Sequence, residues 1–295
     1  MKHLKLFITA IILSVLAFYS CNQEEISLEN KGRLNVYITD APFPIDLVGS
    51  TVVTIDAVEI RKKVEFEGEE DDSSFIMLAE GLMEINLLEL TNGVTELLAT
   101  ANLNVGTYDE IRLHVVDATV TLKDGSEYNL KIPSGTSSGL KIKVQPAITI
   151  DEGQTSDVLL DFDLNKSFVV KGNLGGKIGG FIFKPVVRGV YMGAAGRIEG
   201  NVSDTLGNPI ENAWVKLWNP ELDDDGELTE FDDDSLIIST FTDSQGNFKL
   251  IGLLPGTYVL TTEVAGYKNG LIEDISVTAG NVTTATFQLE DENEE

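Results

Sequence analysis

Cysteine and histidine are scarce in this chain of 295 residues, which has one cysteine, Cys21, and two histidines, His3 and His114. A lone cysteine excludes any disulfide bond within the chain. These three residues also cannot complete a zinc site built from Cys and His ligands. No serine in a nucleophile elbow offers a partner for a triad around His114, so the sequence gives no support to nucleophilic catalysis.

Positive charge is scarce as well. The chain has 21 lysines and arginines against 48 aspartates and glutamates, which gives a formal net charge of −27. A chain this acidic repels the phosphate backbone, so we expect no nucleic-acid partner. Acidic proteins occur inside and outside the cell, so the location has to be inferred from the N-terminal segment.

The N-terminal segment has the pattern of an export signal. Lys2 and Lys5 precede an uncharged apolar run from Leu6 to Phe18. This run is shorter than the ~20 residues that span a bilayer. Positive charge followed by a short apolar run is typical of a secretory signal peptide, which we predict over residues 1–20.

The residue that would follow cleavage is Cys21, directly after the small Ser20. The string FYSC resembles the lipobox of Bacteroidetes-type envelope lipoproteins, although Phe18 and Tyr19 are bulkier than the strict consensus. The resemblance implies thioether-linked lipid and palmitate-like acyl chains at Cys21. Each buried methylene contributes ~0.8 kcal/mol, so several chains would anchor the protein to the outer membrane. The polar residues 21–31 are predicted to form a lipidated, flexible tether.

Strand-like alternation dominates the rest of the chain, and the predicted fold class is all-β. Leu34, Val36 and Ile38 share one face of their segment, for example. The segment 83–103 has leucines at helical spacing, so we predict a short helix there, packed on the edge of a larger β-sandwich-like domain. The glycine-rich stretch 171–180 predicts a loop or tight hairpin, and 193–196 a hinge. The acidic residues 291–295 predict a solvated tail.

Residues 32–192 resemble the domain of unknown function 4382, found in bacterial envelope lipoproteins. The matching strings are GRLNVYITDAP, INLLEL, GTYDEIRLHV, LLDFD and FIFKPVVRGV. The resemblance implies an exported β-rich domain with no established reaction.

Residues 193–290 resemble the carboxypeptidase regulatory-like family. The matching strings are GRIEGNVSDTLGNPIENAWVKLW and TFTDSQGNFKLIGLLPGTYVLTTEVAGY. The resemblance implies a small transthyretin-like sandwich with a carbohydrate binding-like fold, usually an accessory module rather than a catalyst.

The string AWVKLW carries the candidate glycan contact. On a strand, Ala213, Val215 and Leu217 share one face, so Trp214, Lys216 and Trp218 share the other. The two indoles would then lie ~13 Å apart. Exposed aromatic rings at this spacing suit stacking on sugar rings. The alternative is that the tryptophans pack against the first domain or the following loop.

The acidic stretch 220–235 carries a candidate calcium site. Glu221, Asp223, Asp225 and Asp232 partly follow the spacing of a calcium-binding loop. The first and last ligands differ from the usual aspartate and glutamate, and strands rather than helices flank the stretch. Weak calcium binding and a plain solvated loop both remain open.

Paired carboxylates are the third candidate, because two of them can support glycoside hydrolysis. Asp161 and Asp163 share one strand face, and Asp40 lies in the predicted TDAP turn. The alternative is that all three are surface or turn-forming acids.

These observations favour a non-catalytic cell-envelope lipoprotein of the outer membrane that acts as a binding or structural module. Exposure at the cell surface and a location facing the periplasm both stay open. We expect the membrane as one partner and polysaccharide or another envelope protein as the other, in carbohydrate binding or adhesion. Calcium is the one cofactor under consideration. Two alternatives stay open: a carboxylate-dependent hydrolase of extracellular glycans, and an envelope assembly subunit.

Overall fold

The computed structural model describes residues 29–41, 47–63, 75–132, 139–172, 178–220, 231 and 235–292. Strands make up most of these residues, so the predicted all-β fold class is confirmed. Within the described ranges, no helix has the length and apolar character needed to cross a membrane.

The first domain contains eleven strands in its described part. They are β1 (Lys31–Ala41), β2 (Val48–Lys62), β3 (Phe75–Asn86), β4 (Glu96–Asn104), β5 (Gly106–Leu122), β6 (Glu127–Asn129), β7 (Leu140–Ile150), β8 (Thr155–Asp163), β9 (Phe168–Gly172), β10 (Ile178–Phe183) and β11 (Val187–Tyr191).

Nine of these strands form one strongly curved sheet in the order β3-β2-β5-β7-β11-β8-β1-β4, with β6 paired to β5. The sheet curls until its two edge strands, β3 and β4, approach each other. Its inner faces enclose one core that includes Leu34, Ile55, Ile111 and Phe162, all inaccessible to solvent. The separate hairpin β9–β10 adds Phe168, Phe181 and Phe183 to this core.

The structure has no α-helix within 83–103, so the prediction of a helix in this segment is wrong. Strand β3 continues to Asn86, a single 3-10 turn covers Leu87–Glu89, and β4 begins at Glu96. Leucines from two strands and a turn therefore imitate helical spacing. The first domain does contain a short helix, α1 (Leu164–Ser167), which is capped by the Asp163 carboxylate accepting from the backbone N–H of Lys166.

The second domain has seven strands among its described residues: β12 (Gly196–Asp204), β13 (Trp214–Trp218), β14 (Leu236–Phe241), β15 (Asn247–Leu253), β16 (Gly256–Glu263), β17 (Gly270–Val277) and β18 (Val282–Leu289). They form two sheets, β15-β12-β18 and β14-β13-β16-β17. The sheets pack face to face around a core that includes Ile198, Leu217 and Leu260, so the domain is a β-sandwich.

Both domains use the same Gly-Thr-Tyr device at the start of a strand. In the first domain the Tyr108 hydroxyl donates to the carbonyl oxygen of Asn104 at 3.0 Å, and in the second Tyr258 donates to Leu254 at 2.7 Å. Each tyrosine thus reaches back four residues and ties its strand to the preceding segment, as in the tyrosine corner of sandwich domains.

The two domains are joined by a buried apolar contact with polar bonds around it. Gly252 on β15 lies so close to β8 and β11 that an added Cβ would be 2.9 Å from the Leu159 side chain. Leu159 and Val190 are almost fully buried, although neither belongs to a domain core. The Nζ of Lys166 also donates to the carbonyl oxygen of Leu236 at 3.0 Å. The second domain therefore covers the outer face of the first domain's β8–β11 pair.

Candidate functional site

The three side chains of the predicted glycan contact lie on one face of β13, as the alternation indicates. Val215 and Leu217 are fully buried in the sandwich core, while Trp214 and Lys216 lie on the opposite face and are half-buried. The strand is held in register between β14 and β16, so this face is positioned by two neighbouring strands.

Trp218 is largely buried, with 7% of its surface exposed. Its indole N–H donates to the Thr261 hydroxyl at 2.8 Å, and its ring packs on Phe231 with the centroids 5.1 Å apart. It also forms a small apolar cluster with Leu236 and Val259. Trp214, which is half-buried, is therefore the more accessible of the two indoles.

Lys216 occupies the space between the two indoles. Its Nζ lies 3.6 Å from the centroid of the Trp214 ring and 6.0 Å from that of Trp218. The same ammonium donates to a Glu263 carboxylate oxygen at 2.7 Å. Attraction to the ring faces and to the carboxylate holds this cation in place.

Two aromatic residues of the face, Phe241 and Phe231, were not identified from the sequence. Phe241 on β14 is the register partner of Trp214, and their ring centroids are 5.9 Å apart. Together Phe241, Trp214, Lys216, Trp218 and Phe231 form a continuous row across the outer face of the sheet, which we call the aromatic row. Because Phe241 lies far along the chain from the AWVKLW string, only the pairing of β13 with β14 reveals it.

The row ends at a cleft between the domains. This interdomain cleft has a volume of about 470 Å³ and is lined by Phe241 and Glu211 of the second domain and by Leu88, Thr91 and Asn92 of the first. A neighbouring cleft of about 330 Å³ lies on the other side of Asn92.

Two candidate sites fall outside the described residues. The predicted lipidation site Cys21 precedes residue 29, and the predicted calcium ligands Glu221, Asp223, Asp225 and Asp232 fall in 221–230 and 232–234. Among the residues that the structure describes, no three His, Cys, Asp or Glu side chains are arranged to hold a metal ion. Lipidation at Cys21 and calcium binding in 220–235 therefore remain predictions.

The three candidate carboxylates do come close together, but the expectation that they are surface acids is wrong for two of them. Asp40 belongs to β1 rather than to a turn and is 4% exposed, and Asp161 is 3% exposed. The parallel pairing of β1 with β8 places Thr39 beside Asp161 and Ala41 beside Asp163. The second domain covers Asp161 by way of Gly252 and Arg188. Asp40 instead follows Leu34, Val36 and Ile38 on the inner face of β1, beside Phe162, and is buried within the first domain.

Burial changes the protonation of this cluster. It raises the pKa of Asp40 well above its usual value, and the charge of Asp161 adds to the rise. Burial also raises the pKa of Asp161 and of Asp163, although the Arg188 guanidinium opposes the rise at Asp161. Among the described residues, no side chain donates a hydrogen bond to the carboxylate oxygens of Asp40, and the backbone N–H of Leu164 opposes the rise only in part. A buried carboxyl with so little support favours its protonated, neutral form.

Arg188 connects this cluster to the second domain. Its Nη2 donates to an Asp161 carboxylate oxygen at 2.7 Å, and its Nη1 donates to the carbonyl oxygen of Gly252 at 2.8 Å. The cluster therefore takes part in domain docking.

His114 has a local partner on the surface of the first sheet. Its Nε2 lies 3.1 Å from a Glu59 carboxylate oxygen, on the face of β5 opposite the buried Leu113. The Arg112 guanidinium lies over the Phe75 ring at 3.7 Å on the same face. This arrangement is a charged network on the outer surface of the first sheet.

Comparisons with known proteins give two family matches. Residues 31–185, more than half of the chain, match the domain of unknown function (DUF4382), and residues 197–290 match the carboxypeptidase regulatory-like domain. Both resemblances noted in the sequence are thereby confirmed.

Individual relatives match only in part. A hydroxyquinol 1,2-dioxygenase of Corynebacterium glutamicum is 36% identical over 75 residues, which are 24% of this chain and 24% of that protein. The chain therefore spans about a quarter of the length of this curated relative. Among solved structures, 3-chlorocatechol 1,2-dioxygenase of Rhodococcus opacus is 16% identical over 34% of this chain and 61% of its own, with a TM-score of 0.23.

A minor pilin, GBS52 of Streptococcus agalactiae, is 12% identical over 88% of this chain and 97% of its own, with a TM-score of 0.25. TM-scores this low support no inference about function. The family models, in contrast, cover nearly all of the described chain. On their evidence the protein belongs to the family of the domain of unknown function (DUF4382), here followed by a carboxypeptidase regulatory-like domain.

Proposed function

We propose that this protein is a non-catalytic lipoprotein of the bacterial outer membrane that binds glycan at the cell surface through its second domain. The observation that carries the proposal is the outer face of β13, where Trp214 and Lys216 are fixed side by side without contributing to the domain core. A rigid aromatic surface with a polar neighbour suits the stacking and hydrogen bonding that sugar rings require.

The state of the carboxylates supports a binding role over the hydrolase alternative. Glycoside hydrolysis needs two carboxyl groups on either side of an accessible glycosidic bond. Asp40 and Asp161 are instead almost fully buried, and Asp161 is engaged with Arg188. A sugar chain has no access to carboxyl groups that are this deeply buried.

The N-terminal pattern supports the location. Lys2, Lys5, the apolar run and Cys21 occur in the order that export and lipidation require. The predicted tether of residues 21–31 would separate the lipid at Cys21 from the body of the first domain. This tether would place both domains directly at the membrane surface.

The glycan part is tested by titrating the protein with a panel of bacterial and plant polysaccharides while recording tryptophan fluorescence. We expect one class to change the emission, and Trp214→Ala to abolish both the change and the binding measured by calorimetry. Leu206→Ala serves as the control, because Leu206 is 85% exposed in a distant turn. An emission that stays constant across the whole panel would sink the glycan proposal.

The anchoring part is tested by metabolic fatty-acid labelling of cells, with protease added to intact cells. The wild-type protein should carry label and be digested, and Cys21→Ser should lose the label. Unlabelled wild-type protein in the cytosol would contradict the proposed location.

A role as an envelope assembly subunit has one observation in its favour. Strand β3 pairs only with β2 in the described sheet, and it exposes Ile76, Met77 and Leu82 by 40%, 46% and 76%. Apolar edge strands are ready templates for pairing with another chain. Sedimentation would test this role: concentration-dependent oligomers that Met77→Lys disrupts would support it, and a monomer at all concentrations would contradict it.

A further inference from the structure

The interdomain cleft has the size of a small-ligand site, at about 470 Å³. Pockets for small ligands measure ~300–1,000 Å³ and are often found between domains. Both domains contribute to its walls, with Thr91 and Asn92 on one side and Glu211, Asn212 and Phe241 on the other.

Phe241 joins this cleft to the outer face of β13. Its ring lines the cleft and also packs on the Trp214 ring at 5.9 Å with an angle of 33° between the planes. A ligand stacked on Trp214 can therefore continue into the cleft over an unbroken aromatic surface. This continuity sets the cleft apart from the rest of the domain interface.

The cleft also presents hydrogen-bonding groups that the fold leaves unused. The side chains of Glu211, Asn212 and Ser244 line it and form no hydrogen bonds to other described residues. A carboxylate, an amide and a hydroxyl together offer both donors and acceptors. Sugar hydroxyl groups are donors and acceptors at once and match such a mixture.

The charge of the residues that line the cleft limits which sugars it could bind. Among the described residues, the ionisable side chains that line the interdomain cleft are the acids Glu211 and Asp243, and no lysine or arginine accompanies them. Asp243 is oriented by accepting from the backbone N–H groups of Gln245 and Asn247 at 2.9 and 2.8 Å. Two carboxylates without a basic partner repel uronic acids and sulfated sugars.

Asn92 holds the two walls together. Its Oδ1 accepts from the backbone N–H of Lys249 at 2.6 Å, and its Nδ2 lies 3.3 Å from the carbonyl oxygen of Asn247, to which it donates. The amide thus pairs with the free edge of β15 as a neighbouring strand would. Asn92 itself has a left-handed backbone with φ at 57°, so it can be replaced by glycine without strain.

We infer that the interdomain cleft is a subsite for a short neutral oligosaccharide. One sugar unit would lie in the cleft, and the adjoining sugar unit would stack on Trp214. This inference rests on the proposed glycan-binding function and deepens it by assigning the sugar class and a contribution from the first domain. The bound sugar would contact both domains and would bind best when they are docked.

The experiment is calorimetric titration of the full mature protein with hexasaccharides of cellulose, xylan and mannan, and with a polygalacturonate hexasaccharide. We expect a neutral sugar to bind and polygalacturonate not to bind. Phe241→Leu, which keeps apolar volume but removes the ring, should weaken binding about tenfold or more, or ~1.4 kcal/mol. Asn92→Gly should weaken it several-fold, and Phe231→Leu at the far end of the aromatic row should have no effect.

Charge reversal gives a second readout that misfolding cannot imitate. Glu211→Lys should allow polygalacturonate to bind, with the melting temperature unchanged. If a neutral sugar binds, Trp214→Ala abolishes binding, and Phe241→Leu, Asn92→Gly and Glu211→Lys have no effect, the cleft inference fails while the glycan function stands. If no sugar binds to any form of the protein, both fail.

Discussion

The two domains treat their carboxylates in opposite ways. In the first domain Asp40 and Asp161 are buried, and burial raises the pKa of each. In the second domain Asp204 and Glu199 are partly exposed, and hydrogen bonds from Asn208 and from Arg197 lower the pKa of these two groups. Ionisation of the buried acids therefore lowers the stability of the first domain, whereas the ionised acids of the second domain stabilise turns and strand surfaces.

Domain docking explains the burial of Asp161. Asp161 faces away from the first core, but Arg188 of its own domain and Gly252 of the second domain close over it. Asp204 instead accepts from the backbone N–H groups of Leu206 and Asn208 within one turn. The following predictions test this contrast.

The largest effect is expected from Arg188→Met. This change leaves the buried Asp161 carboxylate without its partner and removes a bond to the second domain. Breaking a buried pair costs ~3–5 kcal/mol, and we expect about 3 kcal/mol at pH 8 because Arg188 remains 30% exposed. The measurement is urea unfolding of the full chain.

The matched control is the double variant Arg188→Met/Asp161→Asn, which removes the charge together with its partner. It should recover much of the lost stability. The single variant should also be less destabilised at pH 5 than at pH 8, because Asp161 without Arg188 takes up a proton more readily. Equal loss in the single and double variants would show that the ion pair is not what Arg188 supplies.

The next effect is expected from Asp40→Asn. The folded pKa of Asp40 is raised above its unfolded value, so the contribution of Asp40 to stability is fully present below the unfolded pKa and is lost as the pH rises through the folded pKa. An asparagine side chain at this position cannot ionise, so the variant should lack this loss and be more stable than wild type at pH 8, on the order of 1–2 kcal/mol. Near pH 3 the difference should disappear.

Asp204→Asn is the matched variant in the second domain, with the opposite sign. Its folded pKa is lowered, so its contribution is present above the unfolded pKa and is lost as the pH falls through the folded pKa. The variant should therefore be less stable than wild type at neutral pH and equal to it in acid. Melting curves from pH 3 to 8 check both variants, and parallel pH profiles would contradict the contrast between the domains.

Much of this fold could be predicted from local pattern, because alternation along a strand is a local property. Leu34, Val36 and Ile38 all reach the core as predicted. The helix prediction for 83–103 failed because β3, a 3-10 turn and β4 follow one another closely there. Neither the helical nor the strand period of apolar residues dominates over so short a stretch. Leu87 and Leu98 are both buried, but in different elements.

The site was less predictable because it depends on pairing between distant segments. The opposite faces of Trp214 and Val215 follow from strand geometry alone. The burial of Trp218 depends on Thr261 and Phe231, and the contribution of Phe241 depends on the register of β13 with β14. Such contacts leave no signal in the neighbourhood of the AWVKLW string.

A moderate and equal effect is expected from removing either tyrosine hydroxyl. Tyr108→Phe and Tyr258→Phe each lose one hydrogen bond to a carbonyl oxygen four residues earlier. We expect each change to cost about 1 kcal/mol, because the ring remains packed and only the bond is lost. Unfolding followed in each domain separately checks this, and a loss confined to one domain would show that the shared Gly-Thr-Tyr device is not equivalent in the two.

The smallest effect is expected at the exposed ion pairs of the second domain. Glu199 accepts from Arg197 at 2.8 Å and lies 3.2 Å from the Nζ of Lys249, and all three side chains are exposed. Solvent screens such pairs, so Glu199→Gln should cost ~0.2–0.5 kcal/mol in dilute buffer. In 1 M salt the loss should vanish, because the Debye length falls to ~3 Å.

The same salt series on Arg188→Met completes the comparison, because a buried pair is screened far less than an exposed one. The loss in that variant should persist at 1 M salt, while the loss in Glu199→Gln disappears. If both losses vanish together, solvent reaches the Asp161–Arg188 pair, and the second domain does not seal the acids of the first.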